Sequence, residues 1–331
     1  MSFFVNVAVL LAVLCILNAT AFQMSTPSKR YQNKISMNNA LFEESSIGNT
    51  ALTSDSLQPQ RYIASNRFKV KKDAGPKFEK RWADRKSRLA DLDGFRFFTL
   101  LKRVNIDGSE FESNLGNYVS YTVWENKDNF NTWRSGDAFK EAHGGGGLKG
   151  FIGLLTTALF ILDGGPKPAF YDGLLPVVSD GAVLSNLKAE NGWRKVESDG
   201  VNYLEPETFV VQNRFNVMEG KEVEFEQRWA KRESHLLEFP GFVGFYLQRR
   251  DATKADDGFN FISSAIWKDK ASFLGWKERN TLPEHGPAPG GSPAEGPPQG
   301  PGGPPLGGIF KGRPEIAYYE GKLTLLSSRG G

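Results

Sequence analysis

Cysteine and histidine are nearly missing from this chain of 331 residues. The single cysteine, Cys15, lies in an apolar N-terminal run, so the remaining sequence has no thiol for a disulfide, a thiolate nucleophile or a thiolate metal site. Only three histidines are present: His143, His235 and His285. A metal in the mature protein would therefore depend on histidine or carboxylate ligands.

Charge of one sign and long apolar runs are also scarce. Lys and Arg number 41 against 38 Asp and Glu, a mild and evenly mixed balance that excludes a nucleic-acid groove. The apolar run over residues 3–17 is shorter than the ~20 residues of a spanning helix. We therefore expect no nucleic-acid partner and no stable membrane span in the mature protein.

The N-terminal segment is typical of a targeting sequence. The apolar run is followed by small residues, Ala19-Thr20-Ala21, where a signal peptidase would cut, which predicts a signal peptide over 1–22 rather than an uncleaved anchor. Residues 23–60 are rich in Ser, Asn and Thr and indicate a transit peptide or disordered leader. Residues 19–23 resemble the junction of bipartite plastid presequences, which implies a plastid location, with the secretory pathway as the alternative.

The region after this leader contains an internal repeat, whose two halves we call copy 1 and copy 2. Asn66-Arg67-Phe68 aligns with Asn213-Arg214-Phe215, and at the same offset several further residues of the first copy recur in the second. These pairs are Phe78 with Phe225, Trp82 with Trp229, Arg85 with Arg232, Gly94 with Gly241, and, after a shorter connection, Trp124 with Trp267 and Trp133 with Trp276. The repeat predicts two domains of similar fold, over 61–179 and 209–327, with a linker over 180–208.

The patterning within copy 1 predicts strand, helix, strand, strand, helix, strand. The strands are expected at Arg61–Val70, Phe95–Arg103, Tyr118–Trp124 and Pro168–Leu174, and the helices from Pro76 to Asp93-Gly94 and over Asn126–His143. This order is the ferredoxin-like α+β arrangement, whose sheet has helices on one side only. Two copies can cover their open faces by packing sheet on sheet, so the chain is predicted to form an intrachain pseudo-dimer of the dimeric α+β barrel type.

The two copies differ before their last strand. In copy 1, Phe151–Leu162 is almost wholly apolar, which predicts a helix buried between units. In copy 2 the corresponding place holds a Pro/Gly-rich insertion over 286–308 that cannot form a helix.

Asn66 is the residue most difficult to explain by folding alone. It shares a strand face with Phe68, and burying an amide without a hydrogen-bond partner costs ~1 to 3 kcal/mol. Taken alone, Trp133 reads as a core residue, and His143 reads as a histidine that suits a helix C-terminus ahead of Gly144–Gly147. An Asn66 side chain on the inner face is therefore expected to bind something.

In combination, these residues resemble the antibiotic-biosynthesis-monooxygenase (ABM) superfamily, and within it the heme-degrading monooxygenases. The resemblance rests on Asn-Arg-Phe in the first strand, on the helix with Trp82 and Arg85, and on the segment from Phe130 to His143. It implies a heme pocket built from Asn66, Phe68, Trp133 and His143. His143 would ligate the iron, Asn66 would donate a hydrogen bond on the other side of the heme, and Trp133 would press on the macrocycle.

The resemblance further implies that heme is both cofactor and substrate, and that a reductase or ferredoxin-like protein supplies electrons. An unbroken helix would separate Trp133 and His143 by ~15 Å, the scale of a porphyrin. Ser135-Gly136-Asp137 is a candidate break in this helix. The alternatives are a heme carrier without catalysis, a cofactor-free oxygenase of a small aromatic molecule, and a purely structural module.

Copy 2 departs from this pattern. It keeps Asn213 and Trp276, but His285 follows the tryptophan by nine residues instead of ten, and Pro283 precedes it. One residue turns a helix by ~100°, so a second site at these residues is doubtful. His235 lies on an amphipathic helix and is expected to be a solvated surface residue.

Overall fold

Each copy folds into four strands and the predicted order of elements. The computed structural model describes residues 55–85, 87–111, 116–142, 157–180, 182–187, 189, 191–232, 234–251, 257–281 and 308–329. The strands of copy 1 are β1 (Arg61–Phe68), β2 (Phe95–Val104), β3 (Tyr118–Trp124) and β4 (Lys167–Val178). Those of copy 2 are β5 (Thr208–Phe215), β6 (Phe242–Arg250), β7 (Phe261–Trp267) and β8 (Glu315–Leu326). The helices are α1 (Gly75–Ala83), α2 (Lys127–Ser135), α3 (Asp137–Ala142), α4 (Glu222–Ala230) and α5 (Lys270–Thr281).

Helix α1 is shorter than its sequence pattern predicts. It starts at Gly75-Pro76 as expected, but it ends at Ala83, and a separate 3₁₀ turn over Leu89–Asp91 carries the later apolar residues. The amide of Leu89 bonds the hydroxyl of Ser87, and Ala90 N bonds Gly192 O in the linker. The prediction of one helix up to Asp93-Gly94 was wrong, because these competing hydrogen bonds turn the backbone out of the helix.

The second predicted helix is broken at Gly136. Helix α2 begins after Asn126, whose side chain accepts a hydrogen bond from Asn129 N and caps it. Gly136 is extended at the end of α2, and α3 then starts at Asp137. The candidate break is therefore real, and the ~15 Å spacing of an unbroken helix does not apply here.

The two sheets join into one closed barrel. Each copy has the ferredoxin-like strand order, and the full ring runs β1-β3-β2-β8-β5-β7-β6-β4 with antiparallel pairs throughout. The copies meet through backbone hydrogen bonds of β2 with β8 and of β4 with β6. The pseudo-dimer is thus confirmed, but the open faces are covered by edge pairing that closes a barrel and leaves no sheet edge.

The barrel interior is apolar in its middle and charged near its ends. Inward-facing residues of both copies, such as Ile63, Tyr121 and Ile266, form a single cluster. The arginines of the repeated Asn-Arg-Phe motif also face inward: Arg67 pairs with Asp257 at 2.7 Å, and Arg214 bonds the hydroxyl of Tyr319. The motif therefore divides its side chains between the two faces, because neighbours on a strand point in opposite directions.

The segments that precede β1 and β5 cross to the opposite copy. Leu57 N donates to Glu226 Oε2 on α4 at 2.7 Å, and Leu204 N donates to Glu79 Oε2 on α1 at 2.6 Å. Both glutamates are buried. Residues 55–60, which fall inside the predicted leader, thus belong to the folded part. The linker is also packed, since Leu184 and Leu187 contribute to the barrel core.

The described part of the apolar segment 151–162 is not the buried helix that the sequence predicts. Thr157–Ile161 forms a single π turn, in which Phe160 is 73% exposed while Ile161 and its neighbour Leu162 are buried. Residues 151–156 and 286–307 lie outside the described part of the chain. Over the described residues, no helix combines the length and the hydropathy needed to cross a membrane.

Candidate functional site

Asn66 lies on the outer face of the barrel, the face covered by helices. Alternation along β1 places Tyr62, Ala64, Asn66 and Phe68 on this face, while Arg67 and its odd-numbered neighbours point into the barrel. The predicted sharing of a face by Asn66 and Phe68 is therefore confirmed. The side chain of Asn66 faces the layer between the sheet and the helices and does not face the barrel lumen.

The two helical elements of copy 1 cover opposite ends of this face. Phe78 and Trp82 of α1 pack on Phe68, with ring centroids 5.2 and 6.0 Å away. Phe130 of α2 packs on Tyr62 at 5.3 Å. Asn66 lies between these two contacts along β1, so aromatic rings flank it on both sides.

The strip between the helices has a floor of small and polar side chains, which we call the floor strip: Ala64, Asn66, Ser120 and Thr122. The strand register places Asn66 directly opposite Ser120, and Ala64 opposite Thr122. The hydroxyl of Thr122 donates to Ala64 O at 2.8 Å. Within the described part of the chain, the side chains of Asn66 and Ser120 make no hydrogen bond. Two adjacent polar groups of the floor strip are thus available to a ligand.

Trp133 lies at the α2 end of this face. Its ring stacks on Trp124 with centroids 5.2 Å apart, and the ring of Phe139 on α3 meets it edge-on at 5.0 Å. Trp124 pairs with Tyr62, four residues along β1 from Asn66. Trp133 therefore forms the aromatic wall at one end of the floor strip, as part of the core cluster that also contains Phe68.

His143 and His285 lie outside the described residues, as does the glycine run 144–147. Helix α3 ends at Ala142, so His143 is the next residue in the chain. His235 is described: it is exposed and bonds Glu238 at 2.9 Å, as expected for a surface histidine. His235 lies in copy 2, at the start of the turn before β6, and takes no part in the site of copy 1.

Tyr62 closes the Trp133 end of the site, and its hydroxyl already makes a hydrogen bond within the protein. Its hydroxyl donates to Asp251 Oδ2 at 2.9 Å, and the same oxygen accepts from Lys127 at 2.7 Å. Burial, together with the hydrogen bond to Asp251, raises the pKa of Tyr62 far above its ordinary value. Tyr62 is therefore a neutral wall residue and does not supply a proton to the strip.

In copy 2, side chains of the protein itself occupy the equivalent site. Asn213 Nδ2 lies 3.3 Å from Ser263 Oγ, and these residues correspond to Asn66 and Ser120. Val211 stands where copy 1 has Ala64, and Phe310 stacks on Phe215 at 5.4 Å, where copy 1 has Leu162. Trp276 keeps its contact with Trp267. Copy 2 therefore retains the wall residue but closes the floor.

Ser120 is the site residue that sequence reasoning missed. A serine in mid-strand carries no distinctive pattern, and only the register of β1 against β3 brings it opposite Asn66. Its recurrence as Ser263 in copy 2, at the same offset that pairs Trp124 with Trp267, was a usable signal.

The described residues suit a planar, mostly apolar ligand that needs hydrogen-bond donors on one side. Aromatic walls supply stacking surface, and the Asn66 amide and Ser120 hydroxyl supply polar groups whose side chains bond no described residue. Heme fits this description, with His143 as the nearest histidine along the chain. Among the described residues, no group of three or more His, Cys, Asp or Glu could hold a metal ion without such a macrocycle.

Comparison with known proteins identifies the family of the two copies. The profile of the antibiotic biosynthesis monooxygenase family matches residues 61–145 and 208–283, once in each copy. A heme oxygenase (staphylobilin-producing) of Staphylococcus saprophyticus is 30% identical over 84 residues, which cover 25% of this chain and 74% of the relative.

Solved structures show weaker similarity. A Fusobacterium nucleatum protein named as a monooxygenase covers 83% of this chain and 96% of its own, with 13% identity and a TM-score of 0.47. A ferredoxin-fold protein of Listeria monocytogenes related to antibiotic biosynthesis monooxygenases covers 80% and 96%, with 13% identity and a TM-score of 0.32. From the profile matches and the bacterial relative, the chain belongs to the antibiotic biosynthesis monooxygenase family, as an oxygenase-type enzyme with two tandem domains.

Proposed function

We propose that this protein is a heme-degrading monooxygenase with one competent site, in copy 1. The observation that carries the proposal is the contrast between two equivalent residue pairs. Asn213 and Ser263 bond each other in copy 2, whereas Asn66 and Ser120 make no side-chain bond to any described residue. Polar groups left unsatisfied beside aromatic walls are a feature of ligand sites.

The residues of copy 1 have separate tasks in this proposal. Asn66 donates its amide hydrogens toward the ligand side of the floor strip, and Ser120 offers a hydroxyl beside it. Trp133, held by Trp124 and Phe139, provides a rigid wall against the macrocycle. His143 supplies the neutral imidazole that binds iron. Bound heme supplies the iron that activates oxygen and the porphyrin that is cleaved.

The aromatic lining also excludes water from the reacting ligand. Phe68, Phe130 and Trp133 surround the floor strip with apolar surface, so a hydrogen bond from Asn66 acts in a low-dielectric medium, where it is stronger than in water. A substitution of Asn66 is therefore expected to reduce turnover more than it reduces heme binding.

Hemin titration tests the proposal. We expect wild-type protein to bind one equivalent with a histidine-ligand spectrum and to lose the heme absorbance with ascorbate and oxygen. His143→Ala should abolish the histidine-ligand spectrum, and His285→Ala should leave it unchanged. Asn66→Ala should bind hemin but degrade it about 100-fold more slowly, with Asn213→Ala as the matched control.

The same experiment separates the alternatives. Hemin that binds through His143 but stays stable with reductant and oxygen would indicate a heme carrier. Ligand binding that survives His143→Ala would favour a cofactor-free oxygenase of a small aromatic molecule. Two equivalents of hemin, one lost with His285→Ala, would overturn the single-site proposal. The plastid location remains a prediction from the leader, to be checked with a fluorescent fusion of residues 1–60.

A further inference from the structure

The outer surface of α1 carries unpaired positive charge that copy 2 lacks. Between residues 71 and 92 the sequence has eight basic and four acidic residues. The equivalent stretch of copy 2, residues 218–239, has four basic and six acidic residues. Both stretches build the same helix on the same barrel, so the fold itself does not require this charge.

Three of these cations are exposed and form no direct ion pair within the described part of the chain, although Lys72 lies near enough to Glu110 to help lower the pKa of that carboxyl. Lys72, Lys77 and Arg81 make no ion pair with any residue that the structure describes, and Lys77 and Arg81 lie one turn apart on α1. In copy 2, Glu219 and Glu224 stand at the positions of Lys72 and Lys77, and Glu224 pairs with Lys221 and Arg228. A merely solvated helix face would resemble the balanced surface of copy 2.

An exposed apolar turn lies beside these cations. Lys71 N bonds Ile161 O, and Lys71 Nζ bonds Leu159 O at 2.6 Å, which places the turn against the start of α1. Phe160 in this turn is 73% exposed. Counting back from Leu162 and its counterpart Phe310, copy 2 has glycine at the positions of Leu159 and Phe160. An exposed aromatic residue is a common anchor of a protein interface, and charged residues commonly form the polar rim around such an anchor.

We propose that this surface, the basic face of Lys72, Lys77, Arg81, Leu159 and Phe160, docks an acidic electron-transfer protein. The inference rests on the proposed function, because heme degradation needs electrons from a donor. Bound heme would supply the ferric iron that accepts one electron, and the reduced partner would be the electron donor, with no atom transferred. Lys77 and Arg81 lie on the outer side of α1, and Trp82 lies on its inner side against Phe68. A helix diameter of ~10 Å therefore separates a docked partner from the site.

Charge complementarity favours an acidic protein over a lipid surface. Membrane attachment through electrostatics takes clusters of about four to eight basic residues. Lys71, Lys72, Lys77 and Arg81 reach only the lower end of that range, and the exposed acidic residues Asp73 and Asp84 lie among them. Steering between opposite charges raises the association rate of a transient electron-transfer pair, and this effect weakens as salt is added.

Binding of an acidic [2Fe–2S] ferredoxin to the heme-free chain, measured by calorimetry, tests the proposal. The double variant Lys72→Glu with Lys77→Glu introduces the residues of copy 2, and we expect it to weaken binding at least about tenfold and to flatten the salt dependence. Phe160→Gly should also weaken binding. The matched control, Lys231→Glu with Lys311→Glu, makes the same charge change on exposed lysines of copy 2 and should bind like wild type.

A second readout separates failure of the surface from failure of the proposed function. Hemin loss driven by reduced ferredoxin should fall in the double variant, while loss driven by ascorbate should match wild type. Equal binding by face and control variants, absence of ferredoxin binding, or binding only to phosphatidylserine vesicles would each overturn the proposal. Charge-dependent ferredoxin binding without any hemin loss under ascorbate would instead sink the function and leave the docking surface standing.

Discussion

Asn213 and Ser263 form a hydrogen bond of 3.3 Å across β5 and β7, and the equivalent pair, Asn66 and Ser120, faces the same way without one. The same two residue types in the same register thus serve two purposes. In copy 2 they satisfy each other and complete a packed layer. In copy 1 they remain available to a ligand.

This difference predicts unequal stability effects for the same substitution in the two copies. Asn213→Ala should lower the free energy of unfolding by about 1 kcal/mol, because it removes a hydrogen bond and leaves Ser263 unpaired. Asn66→Ala should change it by less than about 0.5 kcal/mol, because no side-chain bond is lost. Urea unfolding of the heme-free protein measures both, and an equal loss in the two variants would contradict the difference between the copies.

The floor strip should not tolerate the side chain that copy 2 carries. Ala64→Val adds two methyl groups beside Asn66, and we expect hemin affinity to fall at least about tenfold, a loss of ~1.4 kcal/mol, while the fold stays intact. The reverse change in copy 2, Val211→Ala, should leave hemin affinity unaltered. Unchanged affinity in Ala64→Val would place the ligand elsewhere than on the floor strip.

Glu79 predicts a pH dependence of stability. Burial raises the pKa of its carboxyl above the ordinary value of 4.5, although hydrogen bonds from Tyr118 and Leu204 oppose the shift. The folded state therefore binds the proton more tightly than the unfolded state. Its stabilising contribution is complete below about pH 4.5 and is lost as pH rises through the folded pKa.

The free energy of unfolding of the wild-type protein should therefore fall as the pH is raised above about 4.5 and the Glu79 carboxyl loses its proton. Glu79→Gln cannot titrate at this position, so its free energy of unfolding should not show this fall. Denaturant midpoints of both proteins at several pH values check the sign. Parallel curves for the two proteins would show that Glu79 does not titrate differently on folding.

Gly94 is expected to tolerate no side chain. Its φ is +69°, and an added Cβ would overlap the side chain of Asn129 on α2. Gly94→Ala should therefore cost the left-handed backbone penalty of ~1 to 2 kcal/mol and a steric penalty in addition. Gly220→Ala isolates the first cost, since φ is +79° and no atom lies within 4 Å. Thermal unfolding should give a clearly larger loss for Gly94→Ala.

The sequence predicted those features of the protein that depend on residues close together along the chain. The repeat, the strands and the Asn126 cap follow from local patterns, and the family motif identified Asn66 and Trp133. Helix α1 ended early because Ala90 bonds Gly192, about a hundred positions away in the linker, and no local pattern contains that partner. Residues 55–60 joined the fold for the same reason, since Leu57 bonds Glu226 of the other copy.

The sequence by itself determined that the chain holds two domains of one family and which residues line the face of each sheet. Tertiary structure decided which strand edges join the two domains, β2 with β8 and β4 with β6, because edges pair where backbone hydrogen bonds can be completed, and closing the barrel leaves none exposed. It also decided that the two asparagines differ. Whether an amide bonds its cross-strand serine depends on the packing around it, from Val211 on the same strand and from Phe310 of a distant segment, and that packing exists only after folding.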